Sequence, residues 1–82
     1  MQRNLSQVRP RPNRTLMELR LTQGLSCNRL ADRAGLSGNT VRSAEAGFYV
    51  DERSQFAMAS ALGVAVLNVF PIERQRRSRI AA

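Results

Sequence analysis

The chain contains no lysine and no histidine, and its one cysteine is Cys27. A disulfide within the chain is therefore excluded, and so is a zinc site built from histidine and cysteine. Without histidine, and with no base beside the lone thiol, no nucleophile–base constellation can be assembled, so no enzymatic activity is expected. No metal, cofactor or small-molecule ligand is expected either. The N-terminus has no apolar h-region, which argues against a signal peptide. The apolar run from Ala57 to Phe70 is interrupted by Ser60 and Asn68 and is too short to span a bilayer. No internal repeat occurs, and no strand pattern with turn chemistry. The expected setting is the cytoplasm of a bacterium, or of a bacterium infected by a phage.

With lysine absent, all thirteen basic residues are arginine, set against six acids, for a formal net charge of +7. The planar guanidinium fork suits phosphate oxygens and guanine edges. A GC-rich genome raises arginine and alanine together for no functional reason, so the charge gains meaning only beside a motif. The length of 82 residues suffices for one small domain.

That motif is the stretch Ser26 to Gly47, SCNRLADRAGLSGNTVRSAEAG. Leu30 and Ala31 mark the inner face of one short helix. Gly35 ends it, because glycine adopts positive φ without a Cβ clash. Leu36 plugs the angle, and Ser37 caps a second helix on which Val41 and Ala44 face inward. Ala31, Gly35, Leu36 and Val41 together have the spacing of a helix-turn-helix. Ala31 must be small where the second helix passes, and β-branched Val41 fills the gap between helices with few rotamers. The outward face is left to Gly38, Asn39, Arg42, Ser43 and Ala46. In a DNA-binding helix-turn-helix that face enters the major groove.

Around this unit the chain divides into a basic arm (1–12), a domain (13–71) and a basic tail (72–82). Pro10 and Pro12 block helix in the arm, whose Arg3, Arg9 and Arg11 are positive. Asn13 is placed to cap a helix from Arg14 to about Gln23, carrying Leu16 and Leu19 on one side. Gly24 ends it, Leu25 enters the core, and Ser26 caps the next helix. After the loop Phe48-Tyr49-Val50, Asp51 caps a fourth helix whose inner stripe is Phe56, Ala59 and Leu62. Gly63 ends that helix, and Val64 to Phe70 is expected to form a fifth, stopped by Pro71.

These residues resemble the phage-repressor and Cro-like helix-turn-helix family, also called XRE-type. The resemblance rests on Leu16-Met17-Glu18-Leu19-Arg20, Gly24-Leu25-Ser26, Leu30-Ala31, Gly35, Ser37-Gly38-Asn39-Thr40-Val41, Glu45-Ala46-Gly47 and Ala59-Ser60-Ala61-Leu62-Gly63-Val64. It covers about two thirds of the chain. It implies an all-α, five-helix lambda-repressor-like domain in which the second and third helices read DNA. It also implies that Arg20 pairs with Glu45. Three departures stand out. Cys27 replaces the usual glutamine at the start of the second helix, leaving a phosphate contact to its backbone and to Asn28. Ala44 replaces a larger apolar residue, and Gly38 replaces a common base-reading side chain.

The expected function is sequence-specific binding of double-stranded DNA by a transcriptional repressor of phage or mobile-element type. Asn39 is suited to adenine, Arg42 to guanine and Ser43 to either base or phosphate, while Gly38 either removes a contact or allows closer backbone approach. Arg11, Arg14, Cys27, Asn28, Arg29, Phe48 and Tyr49 are the candidates for phosphate contacts. A homodimer is expected, with Val66, Leu67, Val69 and Phe70 as its interface. The alternative is an antitoxin or anti-repressor type of protein acting mainly through protein contacts.

Overall fold

Four short segments carry their own start signals, and the fold is assembled from them. A computed structural model describes residues 11–71. Among these the chain is all-α, with five helices and no strand. They are α1 (Arg14–Thr22), α2 (Cys27–Ala34), α3 (Gly38–Glu45), α4 (Glu52–Leu62) and α5 (Val66–Val69). Asn13, Ser26, Ser37 and Asp51 cap the first four, each side chain accepting from a backbone N–H of the first turn. Each cap satisfies one amide that has no earlier carbonyl to bond. The cap of α5, Ala65, has no such bond.

The reversal between α2 and α3 turns on Gly35, which sits in the left-handed region at φ +73°. There the Leu36 N–H reaches back to the Ala31 carbonyl at 2.8 Å, and Leu36 folds against the core. Ala31 and Val41 are buried beneath the turn. Helix α2 packs on both α3 and α4, α1 packs on α3 and α5, and α4 packs on α5. The core so enclosed includes Leu16, Leu25, Leu30, Val41, Met58 and Leu62. No helix among the described residues is long and apolar enough to cross a membrane.

Two expectations about the last helices need correction. The inner stripe of α4 is Gln55, Met58, Ala59 and Leu62, and Phe56 is 62% exposed. Gln55 takes the inward place because its Nε2 donates to the Val50 carbonyl at 2.8 Å, holding the loop that enters the helix. The fifth helix is also shorter than Val64 to Phe70. The Val64 N–H is used to close the end of α4 on the Ala59 carbonyl, and Ala65 is extended. Helix therefore resumes only at Val66. At its far end, Pro71 biases Phe70 away from helical backbone.

Asn13 does more than cap α1. Its backbone N–H donates to the Glu45 carbonyl at 2.8 Å, and its Nδ2 donates to the Val69 carbonyl at 2.9 Å. One buried residue thus ties together the start of α1 and the end of α5 through its side chain and the end of α3 through its backbone. Just beyond, Gly47 (φ +96°) lets the chain pass closely, since a Cβ there would overlap the Arg11 carbonyl. We expect Asn13→Ala to cost about 2–4 kcal/mol, from a lost cap and an orphaned carbonyl at Val69. Asn13→Ser keeps the cap and should cost about half as much. Urea unfolding of both variants measures this, and an Ala variant as stable as the parent would refute the tie.

Candidate nucleic-acid interface

The outward face of α3 is open. Asn39 and Arg42 are exposed, Gly38 and Ser43 are half-buried, and Ala46 is exposed just past the helix end. Arg42 Nη2 donates to Asn39 Oδ1 at 3.2 Å, an i, i+3 pair along the face. Asn28 joins them from α2. A Cβ at Gly38 would overlap Asn28 Oδ1 and would stand 3.0 Å from Arg42 Nη2. The missing side chain of Gly38 is thus the gap into which the second helix lowers its amide. Asn28, Gly38, Asn39 and Arg42 form one polar cluster over the first turn of α3.

Helix α3 carries one acid, Glu45, and Arg20 neutralises it. Arg20 Nε donates to Glu45 Oε2 at 2.5 Å and Nη2 to Oε1 at 3.1 Å, so the pair is bidentate. The third nitrogen, Nη1, donates to the Leu25 carbonyl at 2.8 Å. Both side chains are only 12% exposed. The hydrogen bond to Glu45 raises the Arg20 pKa above its ordinary value; burial opposes this, and the Glu45 charge adds to it. The pairing expected between these residues is therefore present, and α3 is left with Arg42 as its unopposed charge.

The remaining candidates separate into groups. Arg29 is exposed on α2 next to Asn28. Phe48 and Tyr49 are exposed in the loop that follows α3, where the Phe48 N–H donates to the Ser43 carbonyl at 3.0 Å. Arg11 is exposed, with its backbone against Gly47 at that same end of α3. Arg14 lies instead beside Arg11 and Asn68, along a groove at the start of α1. Cys27 is half-buried, and its side chain packs against the core. The backbone amides of Cys27 and Asn28 head α2, where no preceding carbonyl of the helix is in reach.

The expected dimer surface is corrected in part. Val69 and Phe70 are 1% and 3% exposed, because they close the core against α1 and α4 rather than face outward. Val66 is half-buried against the same core, and Leu67, 50% exposed, is the one fully outward member of the set. Sequence reasoning also missed two supports of the frame, Gln55 and Gln23. Gln23 Nε2 donates to the Leu62 carbonyl at 2.9 Å, joining the ends of α1 and α4. Neither glutamine has a local signal, since each bonds a carbonyl set by tertiary packing.

Comparison with family models, curated proteins and solved structures finds no match to this chain.

Replacing Arg20 by Met should destabilise the domain by about 2–4 kcal/mol, since it leaves a shielded carboxylate and the Leu25 carbonyl without their donor. A raised pKa gives stability that is complete below the unfolded value and lost only as pH rises through the folded one. For Arg20 that window is strongly alkaline, so its protonation should contribute no slope between pH 6 and 9. Thermal unfolding of the parent and Arg20→Met across that range tests both statements. An equally stable variant would show the clamp to be dispensable.

Proposed function

We propose that this chain binds double-stranded DNA in a sequence-specific manner as a transcriptional regulator of repressor type, related to the phage-repressor and Cro-like family. The observation that carries the reading is the open face of α3, on which Arg42 is exposed and Glu45, the helix's one acid, is engaged by Arg20. Such a face can enter a major groove without presenting an uncompensated carboxylate to the phosphates. Arg42 is the guanine reader, with Asn39, Ser43 and the backbone at Gly38 beside it. Arg29, Arg14, Arg11, the amides of Cys27 and Asn28, and the Phe48–Tyr49 loop position the domain on the phosphates.

Charge supports the same division of labour. Residues 11–71 hold seven arginines and five acids, a net +2, while the chain as a whole is +7. The arm up to Pro10 and the tail from Ile72 therefore carry most of the net positive charge, and with it a share of sequence-independent, salt-dependent affinity. Arg3 and Arg9, and the whole tail, lie outside the described residues. A single domain of this kind reads few base pairs. Two copies on half-sites roughly 34 Å apart would supply useful specificity, with Leu67 and the outer part of Val66 as the available apolar contact. The proposed setting is the bacterial cytoplasm, where an operator would be reached.

Exposed Leu67 and Phe56 keep one alternative open, an antitoxin or anti-repressor type of adaptor that binds a protein partner. Retardation of duplex DNA across a salt series, together with selection of bound fragments from random duplexes, separates the two. A regulator yields a motif, whereas an adaptor binds all duplexes weakly and alike. Arg42→Ala should relax preference at one base position, with about 1–3 kcal/mol of discrimination lost. Arg29→Ala should weaken all sequences alike and lower the salt slope by about one. Undiminished discrimination by the Arg42 variant would remove its reading role.

A further inference from the structure

An asparagine that reads adenine needs both ends of its amide: the carbonyl accepts from N6, and the NH2 donates to N7. In this domain the Asn39 carbonyl is already engaged, accepting from Arg42 Nη2 at 3.2 Å. The assignment of the oxygen follows from chemistry, because a guanidinium has five donors and no acceptor. One of that oxygen's two lone pairs is thus taken by the guanidinium, and the NH2 end is the part of Asn39 left without a partner in the fold. The surroundings of Arg42 reinforce the arrangement. Its Nη2 lies over Gly38, beside the Asn28 amide that occupies the gap there. A side chain at position 38 would press on both groups at once.

We infer that Asn39 is a positioning residue for Arg42 rather than an adenine reader, and that the asparagine–arginine unit selects guanine. This rests on the DNA-binding reading and makes it more specific. The unit turns mainly donors to the groove, since the guanidinium has five N–H groups and no acceptor and the Asn39 oxygen is directed to it. Guanine presents two acceptors, N7 and O6, on its major-groove edge; adenine presents N7 beside an amino donor, which would oppose a second N–H. Holding the guanidinium in place before binding also reduces the side-chain entropy lost on contact. Asn28 and Gly38 complete the setting, one by flanking the guanidinium and the other by leaving room for it.

Selection from random duplexes by the full chain and by Asn39→Ala, Asn39→Asp, Arg42→Ala and the double Asn39→Ala/Arg42→Ala variant tests this. Thermal melting first establishes that each variant is folded. The expected motif from the parent chain has a dominant guanine and no adenine that depends on position 39. Asn39→Ala should lower the guanine preference about tenfold, at the same base as Arg42→Ala. The double variant should be no worse than Arg42→Ala alone, as for two residues acting as one unit. Asn39→Asp keeps an acceptor for the guanidinium and should retain the guanine preference, with weaker affinity for every sequence. An adenine position lost in Asn39→Ala while the guanine position persists would overturn the inference and leave DNA binding standing. Failure of the parent chain to retain any duplex in a salt-dependent way would remove both.

Discussion

Arg20 fixes the placement of two helices at once. Its guanidinium grips Glu45 at the end of α3 and the Leu25 carbonyl one residue before the cap of α2. The two members of the helix-turn-helix are thus referred to one side chain on α1. Asn13 adds a second tie, because its N–H holds the carbonyl of the same Glu45. With side chain and backbone both held, the end of α3 has little freedom to tilt. The Gly35 turn and the burial of Ala31 and Val41 fix its other end. The outer face of α3 is in this way set by bonds made on its inner side.

That rigidity matters for a surface with few groups to spend. Three exposed polar side chains, Asn28, Asn39 and Arg42, cluster at its tip. In the proposed function, a side chain held in place before contact loses less entropy on binding, so a short list of residues would suffice to discriminate between bases. Residues 11–71 carry little net charge, while the segments on either side are strongly basic. In the proposed function, long-range attraction and base discrimination therefore reside in different parts of the chain, and salt weakens the first more than the second.

The local grammar of the fold was legible. Asn13, Ser26, Ser37 and Asp51 cap where their side chains allow it, and Gly24, Gly35 and Gly63 follow helix ends, because each device acts within a few residues. The Arg20–Glu45 pair came from a family resemblance and is present in the fold. Other features depend on tertiary partners and left no mark in the pattern. Phe56 looked internal on hydrophobicity alone, but the inner place went to Gln55, whose amide satisfies Val50. Val64 looked helical, but its N–H was needed to finish α4. Val69 and Phe70 looked available for a partner, but a small domain needed them to close its own core. At the candidate site the residues were legible and their couplings were not: Arg42 bonding Asn39, and Asn28 settling over Gly38, depend on side-chain placement.

The central claim is that the outer side of α3 meets DNA. Amide chemical-shift mapping of the folded chain, titrated with a random-sequence duplex at low salt, addresses it residue by residue. The account predicts the largest changes at Asn28, Gly38, Asn39, Arg42 and Ser43, continuing into Phe48 and Tyr49. Changes confined to Leu67 and Phe56, with the face of α3 unmoved, would contradict it.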